Sequence, residues 1–371
     1  MKLLVQQQDL LKTLDVVGKS IINNPPLPIL SSVLLNAKGT TLSISATDLY
    51  FGVTSSLKAV VEEPGVIAVL GKEFKQIIAG LDPGKVTLEK QQNSLSISSN
   101  GVKFELQIDN GEFPSFPPKP KQQHLLKTES LKRITQFVVS SASSDQTRPV
   151  LTCVLLSQID NACYAIATDG FRLSRLEIDE VFAEAGEILF PAKALIELYK
   201  TASAEKVKTI SLSISKEAKQ VVASVAGFDF YIRLIEGEFP PYQKIIPQSN
   251  NLSVSIDAEE LEKNLKRAAI FSEKTQSITQ FVIKKGQLEM KAASPSLGSF
   301  YSLIEGVEIV GQENQIAFNT QYVLDVVRAV QESGNTSQAI KLEMSDPMKP
   351  AVFFSDNIRG FIYVVMPFRV N

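Results

Sequence analysis

Asp169 and Arg172 stand close together in the stretch "ATDGFRLS" (167–174), a carboxylate and a guanidinium separated by a glycine and a phenylalanine. Such a pair suits acid–base or phosphate chemistry, and it equally suits a tight turn whose Asp side chain bonds the backbone. Asp48 in "ATDL" (46–49) repeats the carboxylate but is not followed by an arginine. A residue that recurs at one position of a repeated unit is expected to fix a turn. The other candidates for chemistry are weaker. "GVIAVLGKE" (65–73) resembles a phosphate loop only superficially: the residues between its glycine and Gly71-Lys72 are all apolar, and Glu73 stands where Ser or Thr would reach a magnesium ion. A buried strand running into a helix is the expectation. The sole histidine, His124, has no companion at metal-ligand spacing, so neither a zinc site nor a Ser-His-Asp triad is expected. Cys153 and Cys163 make no disulfide framework and are read as core thiols.

The elements that position these residues are organised by repetition. "LPILSSVLL" (27–35) returns as "RPVLTCVLL" (148–156), "ATDL" returns as "ATDG", and "PGVIAVLGKEFKQII" returns as "AGEILFPAKALIEL", all at one offset of about 120 residues. "GEFPSF" (111–116) returns slightly later as "GEFPPY" (237–242). A third copy is fainter: "DAEELEKNLKRAAIF" (257–271) parallels "KTESLKRITQFVV" (127–139) and "QQDLLKTLDVV" (7–17), each apolar at helical spacing. "IAFNTQYVLDVV" (316–327) parallels "ILFPAKALIELY" (188–199), and the closing "GFIYVVMPFR" takes the place of "DFYIRLIEGEFP". Three units follow, 1–122, 123–248 and 249–371, joined by the Pro- and Lys-rich "FPPKPKQQ" and the polar "PQSNN". "TLSIS", "SLSIS" and "LSVSI" alternate as half-buried strands do. The expected fold class is therefore α+β, with two helices and about eight short strands per unit in antiparallel sheets.

Composition narrows the function classes. With 38 Lys and Arg against 40 Asp and Glu, total charge does not announce a nucleic-acid binder, so any such role must rest on distribution. The expected helices concentrate basic residues (Lys12 and Lys19, Lys72 and Lys75, Lys132 and Arg133, Lys193 and Lys200, Lys263, Lys266 and Arg267), whereas acidic residues crowd elsewhere, as in 176–187. Solvated helix faces are one reading; a basic surface tracking a phosphate backbone is the other. No apolar run approaches the roughly 18 residues of a membrane span, and the short run in "MKLLVQQQDLL" does not make a signal segment, so a cytoplasmic protein without a membrane partner is expected.

"ATDGFRLS", "GEFPPYQKIIP", "LPILSSVLL" and the terminal "YVVMPFRVN" together resemble the β subunit of bacterial DNA polymerase III, the sliding-clamp family, and the likeness runs from Met1 to Asn371. The resemblance implies three similar clamp domains per chain and a head-to-tail homodimer closing a ring of six domains around double-stranded DNA. It implies no cofactor, no metal and no reaction of its own. The partners would be the polymerase III α subunit, a clamp loader, and other polymerases and repair proteins bearing short peptide motifs. The peptide pocket carried over residue by residue comprises Leu151, Thr168, Gly170, Phe171, Arg172 and Leu173, then Pro240, Tyr242, Lys244 and Ile245, then Met348, Pro350, Val364, Met366, Pro367, Phe368 and Arg369. Lys72, Arg148, Lys193, Lys263 and Lys266 are the DNA-contact candidates, and Phe104, Leu106, Ile270 and Phe271 the subunit contact. Phe171 and Phe368 depart from the His and Met common in the family, Asn24 replaces a basic residue, and "SPSLGSFYSLIEG" (294–306) replaces an acidic helix. The rival readings are an enzyme using Asp169 and Arg172 and a monomeric repeat scaffold.

Overall fold

The computed structural model describes residues 1–369 except 23, 122, 160–161, 181–185, 216–218, 272–276 and 335–338. The acidic run 176–187 is thus described only in part, and the last two residues of the terminal motif lie outside the described set. Six α-helices appear among the described residues, in chain order: α1 (Gln7–Val17), α2 (Gly71–Ala79), α3 (Thr128–Phe137), α4 (Ala192–Ala204), α5 (Ala258–Ile270) and α6 (Thr320–Gln331). Each repeat of the sequence therefore carries two helices, and each helix follows directly on a strand. Helical spacing of apolar residues explains their docking. Leu10, Leu14 and Val17 of α1, and Val323, Leu324, Val327 and Val330 of α6, are buried, each such side chain contributing about 1.5–3 kcal/mol of burial. Asp257 caps α5 by accepting from the Glu260 N–H at 2.9 Å, and Asn319 caps α6 by accepting from Gln321 at 2.9 Å. "GVIAVLGKE" is the strand Gly65–Leu70 followed by α2, not a phosphate loop. A Cβ on Gly71 would stand 2.3 Å from the Ile21 side chain, so the glycine there permits close packing.

The alternating segments are strands with one face inward. In Thr41–Thr47, Leu42 and Ile44 are buried while Thr41 is exposed; Leu95 with Ile97 and Val254 with Ile256 repeat the pattern. Among the described residues pairing is antiparallel throughout, in sheets of 13, nine and four strands.

Compactness divides the chain differently from the repeats. One unit comprises Met1–Thr128 with Lys193–Leu234, the other Glu129–Ala192 with Ile235–Asn371. The middle repeat is shared because the last strand of each later repeat pairs with the third strand after the first helix of the repeat before it. Phe228–Arg233 pairs with Phe51–Lys58, matching Phe230 to Val53 and Ile232 to Phe51. Ile362–Val365 pairs with Arg172–Ile178, matching Val365 to Arg172 and Val364 to Leu173. Each of these two seams lies inside one compact unit, and the pocket candidates Thr168–Leu173 and Val364 gather at the second.

Candidate binding site

"ATDG" closes a turn between the strands Ala162–Thr168 and Arg172–Ile178. Asp169 Oδ1 accepts from the backbone N–H groups of Phe171 (2.9 Å) and Arg172 (3.0 Å). Asp48 in the first copy accepts from Tyr50 (2.9 Å) and Phe51 (2.6 Å) in the same way. Gly170 supplies the left-handed backbone of the turn at φ +95°, a conformation without steric cost for glycine. Thr168 Oγ1 accepts from the Gly170 N–H and donates to the Arg172 carbonyl. The turn expectation for Asp169 therefore holds.

Arg172 is bound on every side. Its Nε donates to Asp169 Oδ2 at 3.0 Å, its Nη1 donates to Asp325 Oδ2 and to the Tyr363 hydroxyl at 3.0 Å, and its guanidinium lies 4.4 Å from the centre of the Tyr322 ring. Gln321 donates to the remaining Asp325 oxygen at 2.7 Å. Burial works against the charge, but Tyr363 and Asp325 outweigh it and hold the guanidinium above its ordinary range. Burial also pushes the Tyr363 phenol upward. With side chains only 11%, 14% and 20% exposed at Arg172, Asp169 and Asp325, this is a charged knot that ties the turn to α6 and to the last strand. Arg172 is a structural tie beneath the candidate pocket, and it is not free to act on a substrate. The sequence reading missed Asp325, Tyr322 and Tyr363; the one signal available was an aspartate amid the apolar run of "YVLDVV".

Above the knot the candidate residues divide into a floor and a rim. Leu173 and Val364 face each other across the seam and are buried with Cys153, Leu155, Ile166 and Tyr242; Val150, Phe239 and Ile245 pack against them half-buried. Leu151, Pro240, Pro350 and Pro367 are also half-buried, whereas Lys244 and Arg369 are exposed. The Met366 N–H donates to the Phe171 carbonyl at 2.9 Å, joining the two exposed rim residues, and the Phe368 N–H donates to the Ala317 carbonyl at 2.7 Å. Phe171 is 59% exposed, Met348 50%, Phe368 44% and Met366 41%, an apolar rim of unusual exposure for side chains so large. Unbranched methionine beside aromatic rings accommodates varied apolar ligands. Thr168, Leu173 and Val364 are buried and form the floor and frame beneath that rim. Burial pushes the Cys153 thiol up to about 11 and the Cys163 thiol up to about 12, so both are inert core groups, as expected.

The DNA-contact candidates also divide. Lys72 and Lys193, in the first turns of α2 and α4, are exposed and make no ion pair among the described residues. Lys263 pairs with Glu259, Lys266 with Glu262 at 2.6 Å, and Arg148 with Asp145 at 3.0 Å. Burial pulls Glu262 upward, yet hydrogen bonds from Lys266 and Arg328 hold its carboxyl below the usual range. These three cations are partly neutralised by their own neighbours.

At the subunit-contact candidates, Ile270 is 66% and Phe104 37% exposed, Leu106 is half-buried, and Phe271 stacks on Phe300 with ring centres 6.3 Å apart. The segment 294–306 contains the strand Gly298–Glu305. Among the described residues, that strand pairs only with Gln287–Ser294. Among those residues too, the first repeat's last strand, Val102–Asp109, pairs along residues 102–107 only with Ser94–Ser99. Both strands present a free edge.

Groups of His, Cys, Asp or Glu able to hold a metal ion do not occur among the described residues. Comparison with known proteins places this geometry. Family models of the DNA polymerase III beta subunit match residues 1–117 (N-terminal domain), 125–241 (central domain) and 243–369 (C-terminal domain). A beta sliding clamp of Synechocystis sp. is 27% identical, with all of both chains covered, and one of Chlamydia pneumoniae is also 27% identical over the full length of both. Among solved structures, a Caulobacter crescentus beta sliding clamp superposes with a TM-score of 0.91 at 26% identity, and a Bartonella birtlesii sliding clamp bound to griselimycin with 0.92 at 25%, each covering both chains completely. The chain belongs to the DNA polymerase III beta subunit family.

Proposed function

We propose that this chain acts as a DNA sliding clamp, a processivity factor that closes around duplex DNA as a homodimer and tethers the replicative polymerase. The observation that carries the reading is the pair of unmatched strand edges. At each seam inside the chain, the last strand of one repeat pairs with the third post-helix strand of the repeat before it. That rule leaves two strands over: Val102–Asp109 at the start of the series and Gly298–Glu305 at its end. A long exposed edge invites pairing with another chain. Joining the two leftover edges of two copies repeats the same seam, uses no new geometry and closes a head-to-tail ring in which neither leftover edge stays open. Phe104, Leu106, Ile270 and Phe271 would supply the apolar part of that contact, and the three repeats, 1–122, 123–248 and 249–371, its domains.

The role is that of an accessory factor. Asp169 and Arg172 are consumed by the turn and the knot, which favours this reading over an enzyme built on them. Lys72 and Lys193 are the cations best placed to meet phosphates, with Arg148, Lys263 and Lys266 weaker, and so few contacts fit a ring that retains DNA by topology while sliding. The rim of Phe171, Met348, Met366 and Phe368 over its apolar floor is the docking groove for short peptides of the polymerase III α subunit, the clamp loader and other polymerases and repair proteins. A cytoplasmic setting fits this role, and no helix among the described residues is long and apolar enough to cross a membrane. The test is the mass in solution: the chain should sediment as a dimer, and Ile270→Asp with Phe271→Asp should give a folded monomer, because an apolar contact tolerates an unpaired charge poorly. A double variant still dimeric at micromolar concentration would show that the contact lies elsewhere.

A further inference from the structure

The first seam carries a groove of its own. A cleft of about 240 Å³ opens there, walled by Leu49, Tyr50, Phe116, Tyr231 and Arg233 and floored by Gly52. It is the repeat counterpart of the groove at the second seam: Tyr50 stands where Phe171 does, and Arg233 where Met366 does. The Arg233 N–H donates to the Tyr50 carbonyl at 2.8 Å, as Met366 does to Phe171 at 2.9 Å.

We propose that this cleft is a second docking site, for a short peptide that places a carboxylate beside an apolar side chain. The proposal rests on reading the second-seam groove as a peptide site. Three observations carry it. Tyr50 is 61% exposed and Leu49 46%, so the apolar wall faces solvent. Leu49 holds φ +77° at the position of Gly170, a backbone strained for leucine, so the exposed side chain is kept despite a local cost. Among the described residues Arg233 is the only charged one in the wall and makes no ion pair; it lies 5.6 Å from the Tyr50 ring centre. An unpaired guanidinium over an aromatic ring, beside an apolar wall, is complementary to a carboxylate next to a leucine or phenylalanine. A nucleic acid fits less well, since a lone cation cannot follow a phosphate backbone; nearby Lys119 is already tied to Asp229 at 3.2 Å. The slot itself is made by Gly52: a Cβ there would stand 2.5 Å from Phe116 Cε1, and the Phe116 ring packs at a tilt of 51° against Tyr231 with centres 4.7 Å apart.

The test is calorimetric titration of the full chain with an acetylated hexapeptide of two leucines, a phenylalanine and three aspartates. Two binding events per chain are expected, the stronger one lost on deletion of residues 366–371. In that deletion background Arg233→Glu should weaken the remaining event at least tenfold with unchanged circular dichroism, and Tyr50→Ala should weaken it independently. A single event in the wild type that vanishes with the deletion overturns the second site while leaving the second-seam groove intact. A residual event indifferent to both Arg233→Glu and Tyr50→Ala overturns it as well. If Arg233→Glu removes the stronger event and the deletion does not, the first-seam site stands and the second-seam reading fails.

Discussion

The two seams are built on one backbone plan and held by different chemistry. In both, an Asp at the head of the turn accepts two backbone N–H groups, and the next repeat's last strand adds to the sheet. At the second seam the residue after the turn is Arg172, fixed by two aspartates and a buried tyrosine. At the first seam the same position is Phe51, which meets Phe230 ring to ring at 6.0 Å, and Phe230 is the counterpart of Tyr363. A buried charged knot and an aromatic pair thus serve one architectural purpose. Their failure modes differ: an apolar pair loses stability in proportion to what is removed, whereas a charged knot deprived of one partner leaves a buried donor or acceptor unsatisfied.

The largest effect expected from this difference is at the knot. Asp325→Ala should destabilise the unit built on the second seam by about 2–3 kcal/mol, because the buried Arg172 Nη1 loses its carboxylate acceptor even though Asp169 still balances the charge. Denaturant unfolding measures it, and Arg172→Met in the same background should recover part of the loss. A cost below about 1 kcal/mol, the range of exposed ion pairs, would mean that the knot is not the tie described here. Deleting Met366–Asn371 should spare this knot, which lies beneath the rim, yet abolish most peptide binding at the second seam. Truncating apolar anchors costs about 2 kcal/mol or more, roughly thirtyfold in affinity. Fluorescence polarisation reads it, with circular dichroism confirming the fold; full affinity in folded protein would place the peptide elsewhere.

A smaller effect separates the seams by pH. Cys153 lies in the buried cluster of the second seam, while its counterpart at the first, Ser32, donates to Asp109 at 2.9 Å. A native thiol pushed up to about 11 stays protonated after its unfolded counterpart has begun to ionise, at about 8.5. Its contribution is therefore complete below that unfolded value and is lost as pH rises toward about 11. Cys153→Ala should flatten the alkaline fall in stability by an amount on the order of 1–2 kcal/mol. An identical alkaline slope in wild type and variant would remove this distinction.

Much of the architecture was legible in the sequence because repetition is a local signal. The offset aligned Asp48 with Asp169 and assigned both to turns; alternation exposed the strands, and helical spacing the helices. The same alignment placed Tyr50 opposite Phe171, so the first-seam groove was within reach of sequence arithmetic. The knot was not legible, because Asp325 and Tyr363 reach Arg172 only through the fold, from 153 and 191 residues away. The division of the middle repeat between two compact units was hidden likewise, since it depends on which edge a strand joins. Neutralisation of Lys263 and Lys266 by glutamates four positions earlier was visible, however, as a helical charge pattern.

The central claim is that the leftover edges close a ring, and retention on DNA tests it most directly. Chain loaded by an ATP-driven loader onto nicked circular duplex should remain bound in high salt, and should be released when the same circle is linearised. Electrostatic binding would instead weaken with salt on both forms alike. Equal, salt-sensitive loss from circles and linear DNA would contradict the ring.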